Sequence, residues 1–463
     1  MAKELKLDIK NGWDILKGKK RDDVTEFIEG YKAYLDAGKT ERECVKYTKA
    51  MLENAGFKAL DTAKKVKAGD KLYTIIKDKG IAAVIIGKEP LKDGLNMLGA
   101  HIDSPRLDLK PMPLYEDAGM AFLKTHYYGG IKKYQWSTIP LSMHGVIFDK
   151  EGTRHEINIG EDEGDPVFCI NELLIHISQE QMTRSAAEAV KAEELNILFT
   201  GIPCDDEKEK ERVKLAALML LNEKYGITEK DFISAEIEVV PAFKAKDVGL
   251  DRAFIGSYGQ DDRVCAYTQL QALLSVKTLK RSGIIFLYDK EEVGSGGNTG
   301  AQSRIYENIV AELLEKSGGY TDFEFRKCIE KSKMLSADVT SAFDPTYAGA
   351  YDKLNSSFAG KGMAINKYSG ARGKAGGNDA NSEYMDKVMR LLDRNGISWQ
   401  TGEIGRVDLG GGGTIAIYAA VTGLDVIDCG VPVLSMHAPF EVTSKADVYS
   451  TYLGFKAFLE EME

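Results

Sequence analysis

Apolar positions recur along this 463-residue chain in two rhythms, and the change from one to the other outlines its elements. Near the start, Val24, Phe27, Ile28, Tyr31 and Leu35 fall three or four apart, the spacing of one buried helical face. A second helix is predicted over 40–52, where Thr40 followed by Glu43 resembles a capping box. The rhythm then shortens. Residues 72–76 and 81–86 are strand-like runs separated by Lys77, Asp78, Lys79 and Gly80, the pattern of a hairpin. A third strand is predicted over 95–100. From 261 onward, strands at 284–288, 334–337 and 398–401 alternate with helices at 264–279, 305–316 and 381–394. Such alternation predicts an α/β fold with a mainly parallel sheet and helices on both faces.

Between these halves the composition changes. Residues 107–243 hold short alternating strands at 141–148, 156–160 and 196–200, the acidic glycine turn at 160–166, a charge run at 205–212 leading into a helix at 213–225, and a last strand at 234–240. This is the pattern of a strand-rich insertion. The predicted organisation is a first part of the α/β domain over 1–106, the insertion over 107–243 and a second part of the α/β domain over 244–463.

Charge and cysteine content narrow the function classes. Sixty-one basic against 71 acidic residues give a net charge of −10, which argues against nucleic acid or an anionic membrane as the main partner. The six cysteines are scattered, with no C-x-x-C pair, so neither a disulfide framework nor a thiolate zinc site is expected. No apolar run approaches ~18 residues, and the opening five residues carry no secretory signal. A cytoplasmic location is expected.

Candidate chemistry sits where buried runs end. The run Ile284-Ile285-Phe286-Leu287-Tyr288 stops at the paired carboxylates Glu291 and Glu292, and open parallel sheets collect their chemistry outside the carboxyl ends of strands. Adjacent side chains on an irregular segment point different ways. One can bind a metal while the other faces a water, the division that metal-assisted hydrolysis needs; the plainer alternative is a solvated acidic loop. The strand at 95–100 likewise ends in His101-Ile102-Asp103, an imidazole with a carboxylate able to orient it. Asp261 and Asp262, Asp338, and His437 with Glu441 interrupt further apolar strings. Singly, the aspartates suit a helix N-cap or a turn. Together, two histidines and several carboxylates form the nitrogen and oxygen inventory that a pair of divalent ions requires. The run Gly410 to Gly413 lacks the lysine of a phosphate-binding loop, so close backbone packing or substrate approach is expected there.

The strings GAHIDSPRLDLKP, GLDRAFIGSYGQDDR, DKEEVGS, SADVTSAFDP and VPVLSMHAPFE resemble the aspartyl aminopeptidase family of dinuclear-zinc metallopeptidases over most of the chain. The resemblance implies removal of N-terminal residues from peptides with a free N-terminus, Asp or Glu among them. It implies two divalent metals, zinc foremost and cobalt or manganese as substitutes. His101, Asp261 and Asp338 would hold one and Asp261, Glu292 and His437 the other. Glu291 would be the general base acting on a water between them, Asp103 would orient His101, and the Asp261-Asp262 peptide would be cis. It also makes the insertion a dimerisation domain and the assembly a dodecamer built from dimers. His176 in ELLIHIS then reaches a neighbouring subunit's substrate, whereas read alone it is a core histidine. The chain departs from eukaryotic members, which carry a histidine at the position of Ser341 and an R-Y pair downstream of a lysine, where this chain has Ser341 and the glycine-rich NKYSGARGKAGGNDAN. Lys367, Arg372 and Lys374 are the candidates there to meet an acidic side chain. Two rivals stay open: another dinuclear-zinc deacylase or carboxypeptidase, and a metal-free binding or assembly protein on the same fold.

Overall fold

The computed structural model describes residues 5–463; the opening segment read for a signal therefore lies largely outside the described residues. The fold is α/β. Chain contacts divide the described residues into two compact units: those up to 103 with 245–436 and 440–463 form one, and residues 104–244 with 437–439 the other.

The first unit is built on a nine-stranded sheet in the order Lys58–Ala59, Lys71–Ile76, Gly80–Ile85, Gly283–Tyr288, Asn96–His101, Lys333–Ala337, Asp425–Gly430, Met363–Asn366 and Trp399–Thr401. The sheet is mixed. Gly283–Tyr288, Asn96–His101, Lys333–Ala337 and Asp425–Gly430 run parallel in its middle, while Gly80–Ile85 and Met363–Asn366 pair antiparallel on either side of them. Because side chains alternate along a strand, the central runs feed two cores. Ile285, Leu287, Leu98, Ala100 and Leu335 enter one, together with helix residues such as Ile28, Leu52, Leu270 and Phe458. Ile284, Phe286, Tyr288, Met97 and Met334 enter the other with Ile309, Leu313 and Ile329. Burial on both faces explains why these strands are nearly continuous apolar runs.

The helices start and stop for local reasons. Glu41–Asn54 begins with Thr40 and Glu43 in a reciprocal capping box. The predicted helix over 264–279 is instead Gln260–Ser275, with Asp261 and Asp262 outside helical geometry and Val276 extended. A five-stranded sheet also belongs to this unit; in it Phe254–Ser257 pairs with Glu441–Ser444, bringing Ser257 opposite Glu441.

The second unit carries a seven-stranded antiparallel sheet. Its longest pair, Arg106–Asp117 and Met120–Tyr128, slips register between Leu109 and Leu114. His176 sits on the short 3-10 turn Ile175–Ile177 and is exposed, so it is not a core histidine. Beside it Ile175 and Ile177 are 69% and 65% exposed. Among the described residues no helix is long and apolar enough to cross a membrane, and all six cysteines are free thiols.

Candidate metal centre

Strand register assembles the site. Tyr288 lies opposite His101 on one side. On the other, Ser336 lies opposite Gly99, which sets Asp338 level with His101 two residues further on. Glu291 and Glu292 then open a short 3-10 turn, Glu291–Val293, three residues past the strand end. Asp261 comes from the irregular start of helix Gln260–Ser275, whose Gln269 donates from its side-chain amide to the Gly99 carbonyl at 2.9 Å. The Asp261-Asp262 peptide bond is cis.

Two donor groups result, each offering one ligand atom per residue with all three atoms within 4.8 Å of one another. One is His101, Asp261 and Asp338; the other is Asp261, Glu292 and His437. Asp261 belongs to both. Glu291 belongs to neither, although its neighbour does. In the first group His101 Nε2 lies 3.2 Å from Asp261 and 3.7 Å from Asp338. His101 Nδ1 lies 3.0 Å from the Asp103 backbone carbonyl and 3.4 Å from its carboxylate. An N–H donated from Nδ1 leaves Nε2 as the lone-pair nitrogen facing the carboxylates. His437 is arranged alike, with Nδ1 2.8 Å from the Gly130 carbonyl.

The Asp103 carboxylate does more than face His101. Its two oxygens accept the backbone N–H groups of Glu291 and Glu292 at 3.1 and 3.2 Å. One buried side chain therefore pins the turn that carries both glutamates. Sequence reasoning had no signal for this, since a side chain to backbone bond across 188 positions leaves no periodic trace.

The electrostatics are those of crowded carboxylates. Burial, with Asp338 adding, pushes the Glu291 carboxyl up to about 8, and His101 opposes the rise. Burial and then Asp338 raise Asp262 well above the usual carboxylate range. Burial alone would lower the His101 imidazole, but hydrogen bonds to Asp103, Asp261 and Asp338 lift it well above its ordinary value. All three upward shifts have one origin: the groups hold protons because negative charge is concentrated in a poorly solvated place. Imidazole nitrogen and carboxylate oxygen in such surroundings suit a zinc-like divalent cation.

The three basic candidates lie on one loop. Lys367 and Lys374 share the Asp379 carboxylate at 3.0 and 2.8 Å, Lys374 also stands over the Tyr368 ring, and Arg372 is exposed.

A family model described as "Aminopeptidase I zinc metalloprotease (M18)" matches residues 34–459. A probable M18 family aminopeptidase 1 of Clostridium acetobutylicum is 49% identical over 99% of this chain and 100% of its own length. The crystal structure of an M18-family aminopeptidase from Thermotoga maritima superposes with a TM-score of 0.96 at 45% identity, covering 99% of this chain and 100% of that one. The dodecamer structure of mApe1 from S. cerevisiae has the same fold, with a TM-score of 0.74 at 23% identity over 95% of this chain and 97% of that one.

Proposed function

The chain belongs to the aminopeptidase I zinc metalloprotease family (M18) and is a zinc metallo-aminopeptidase, and we propose that it works through two divalent cations held by His101, Asp261 and Asp338 and by Asp261, Glu292 and His437. The observation that carries this is the pair of three-donor groups sharing Asp261. Three protein donors per ion leave a coordination position open, the pattern of catalytic rather than structural zinc sites. When bound, such cations, zinc by family and cobalt or manganese as substitutes, supply the Lewis acidity that brings a water toward pKa ~7 and polarises the scissile carbonyl.

The chain's own groups do the rest. Glu291, outside both donor groups, takes the proton of the attacking water and returns it to the leaving amine. Asp103 holds Glu291 and Glu292 by their backbone N–H groups, so base and ligand keep a fixed separation. Carboxylates at the same rim hold the substrate's free α-amine, which confines cleavage to the N-terminal bond. On the loop with Lys367, Arg372 and Lys374, two lysines share one carboxylate, Asp379, and Arg372 is exposed. That surplus of positive charge supports Asp or Glu as an accepted N-terminal residue.

A library of fluorogenic N-terminal amides, free and N-acetylated, assayed with zinc, cobalt and manganese, tests the reading. Acetylation is expected to cost about 10⁴-fold in kcat/KM, since a site built around the amine rejects a substrate lacking it. Equal release of fluorophore from blocked and free substrates would show that the α-amine is not required and sink the aminopeptidase site, and release of acetate with the fluorophore still attached would indicate a deacylase of the same metal group.

We also propose that residues 104–244 form the dimerisation domain of a cytoplasmic homo-oligomer, a dodecamer built from dimers, with exposed His176 serving a neighbour's site. A mixed assembly supports or sinks this. An inactive Glu291→Gln subunit with intact His176 should rescue an otherwise catalytically intact His176→Ala subunit when the two co-assemble, and no regain of activity would count against action in trans.

A further inference from the structure

We propose that Glu441 is a positioning residue for the metal centre, acting through the backbone of Asp261; the inference rests on the two-cation reading above. Asp261 is the donor common to both groups, so any error in its position is felt twice. Yet it stands on backbone that no regular element secures. Gly259 before it has φ 68°, and Asp261 itself (φ −79°, ψ 111°) departs from helical geometry. Its N–H is among the first of the helix, where the ladder provides no acceptor.

Glu441 supplies one. Its Oε2 accepts the Asp261 N–H at 3.0 Å, and the two residues are 1% and 3% exposed. The bond is half of a reciprocal lock. Gln260, next to Asp261, donates from its side-chain amide to the Glu441 carbonyl at 2.7 Å and to the Ile255 carbonyl at 3.2 Å. Its amide oxygen accepts from the Thr443 hydroxyl at 2.6 Å and the Tyr31 hydroxyl at 3.2 Å. Thus one side chain of the helix start grips the Glu441 strand, and one side chain of that strand grips the helix start. Register makes this possible, because Ser257, three residues before Gln260, pairs opposite Glu441. Placing another carboxylate beside a site already rich in them raises the cost of burial. A hydrogen-bond acceptor at this one N–H gives that carboxylate a structural reason.

The test is zinc affinity, measured on the full-length protein by competition with a chelating indicator, alongside kcat and KM. Glu441→Ala is expected to weaken zinc binding by about 10- to 100-fold, the usual penalty for losing a group that orients a ligand. Glu441→Gln, whose amide oxygen can accept the same N–H, is expected to restore binding to within about threefold of the parent, the residual expected of a bond kept but no longer charge-assisted. A folded Glu441→Ala protein that binds zinc as tightly as the parent overturns the proposal. So does Glu441→Gln losing as much affinity as alanine, because charge rather than the hydrogen bond would then be responsible. Should the alanine variant not fold, the glutamine variant decides alone by the same criterion. A parent that binds no zinc would sink the metal centre itself, a separate failure read from the same titration.

Discussion

Glu291→Gln protein is expected to keep its full complement of bound zinc and to cleave peptides about 10²- to 10⁴-fold more slowly, the range over which a positioned general base contributes. Gln preserves the size of the side chain and leaves the backbone N–H that Asp103 holds at 3.1 Å, so the turn should stay in place. What it removes is a carboxylate able to take a proton. Since Glu291 lies outside both donor groups, its loss falls on kcat, with KM nearly unchanged, the signature of an interaction made in the transition state. The neighbouring substitution behaves differently. Glu292→Gln removes a member of the second group and should lower zinc content along with rate. Zinc measured per chain in the two variants, together with steady-state kinetics, therefore separates base from ligand. Parent-like turnover in Glu291→Gln, or zinc lost equally from both, would show that the roles are misassigned.

The contrast between adjacent glutamates also marks how far the amino-acid sequence could be read. Their position was legible because Gly283–Tyr288 is buried on both faces and so prints as an uninterrupted apolar run that stops at charge. The same holds for His101 and Asp338, each at the end of a neighbouring parallel strand. Less legible were elements whose pattern is disturbed. Arg106–Asp117 contains Pro111 and Pro113 and a register slip after Leu109, so its period of two is broken where a bulge turns it. Helix Lys445–Glu461 buries residues around much of its circumference, Asp447, Val448, Ser450 and Thr451 among them, and leaves little amphipathic stripe to detect. The supports of the site were hidden for another reason. Asp103 on two backbone N–H groups and Glu441 on a third are long-range bonds to main chain, which every residue possesses. Only the acidic residue itself is visible in a sequence. Glu441 stood out there, four positions after His437, without anything to say what it touches.

Stripping the protein of metal is expected to abolish peptide cleavage and to lower its unfolding temperature, with the loss of stability growing between pH 5 and pH 8. In the absence of cations the rim holds its charge balance with protons. Glu291 has its carboxyl raised to about 8 by burial and Asp338, against ~4.3 for an unfolded glutamate. Between those values the folded protein binds more protons than the unfolded chain, and stability falls with rising pH wherever that is so. The contribution is complete below the unfolded value and is lost as pH climbs through about 8. Asp262 and His101 are shifted in the same upward direction and add to the slope. Bound cations replace those protons, so the loaded protein should not share the decline. At free zinc a hundredfold above the dissociation constant, linkage alone contributes ~2.7 kcal/mol per site, enough to move a melting midpoint by several degrees in a domain of ordinary size. Melting curves of chelator-treated and zinc-reconstituted protein at pH 5, 6, 7 and 8 measure the gap. A gap that stays constant across that range would mean that the clustered carboxylates and His101 do not carry the linkage, and cleavage persisting in protein shown to be free of metal would remove the two cations from the reaction.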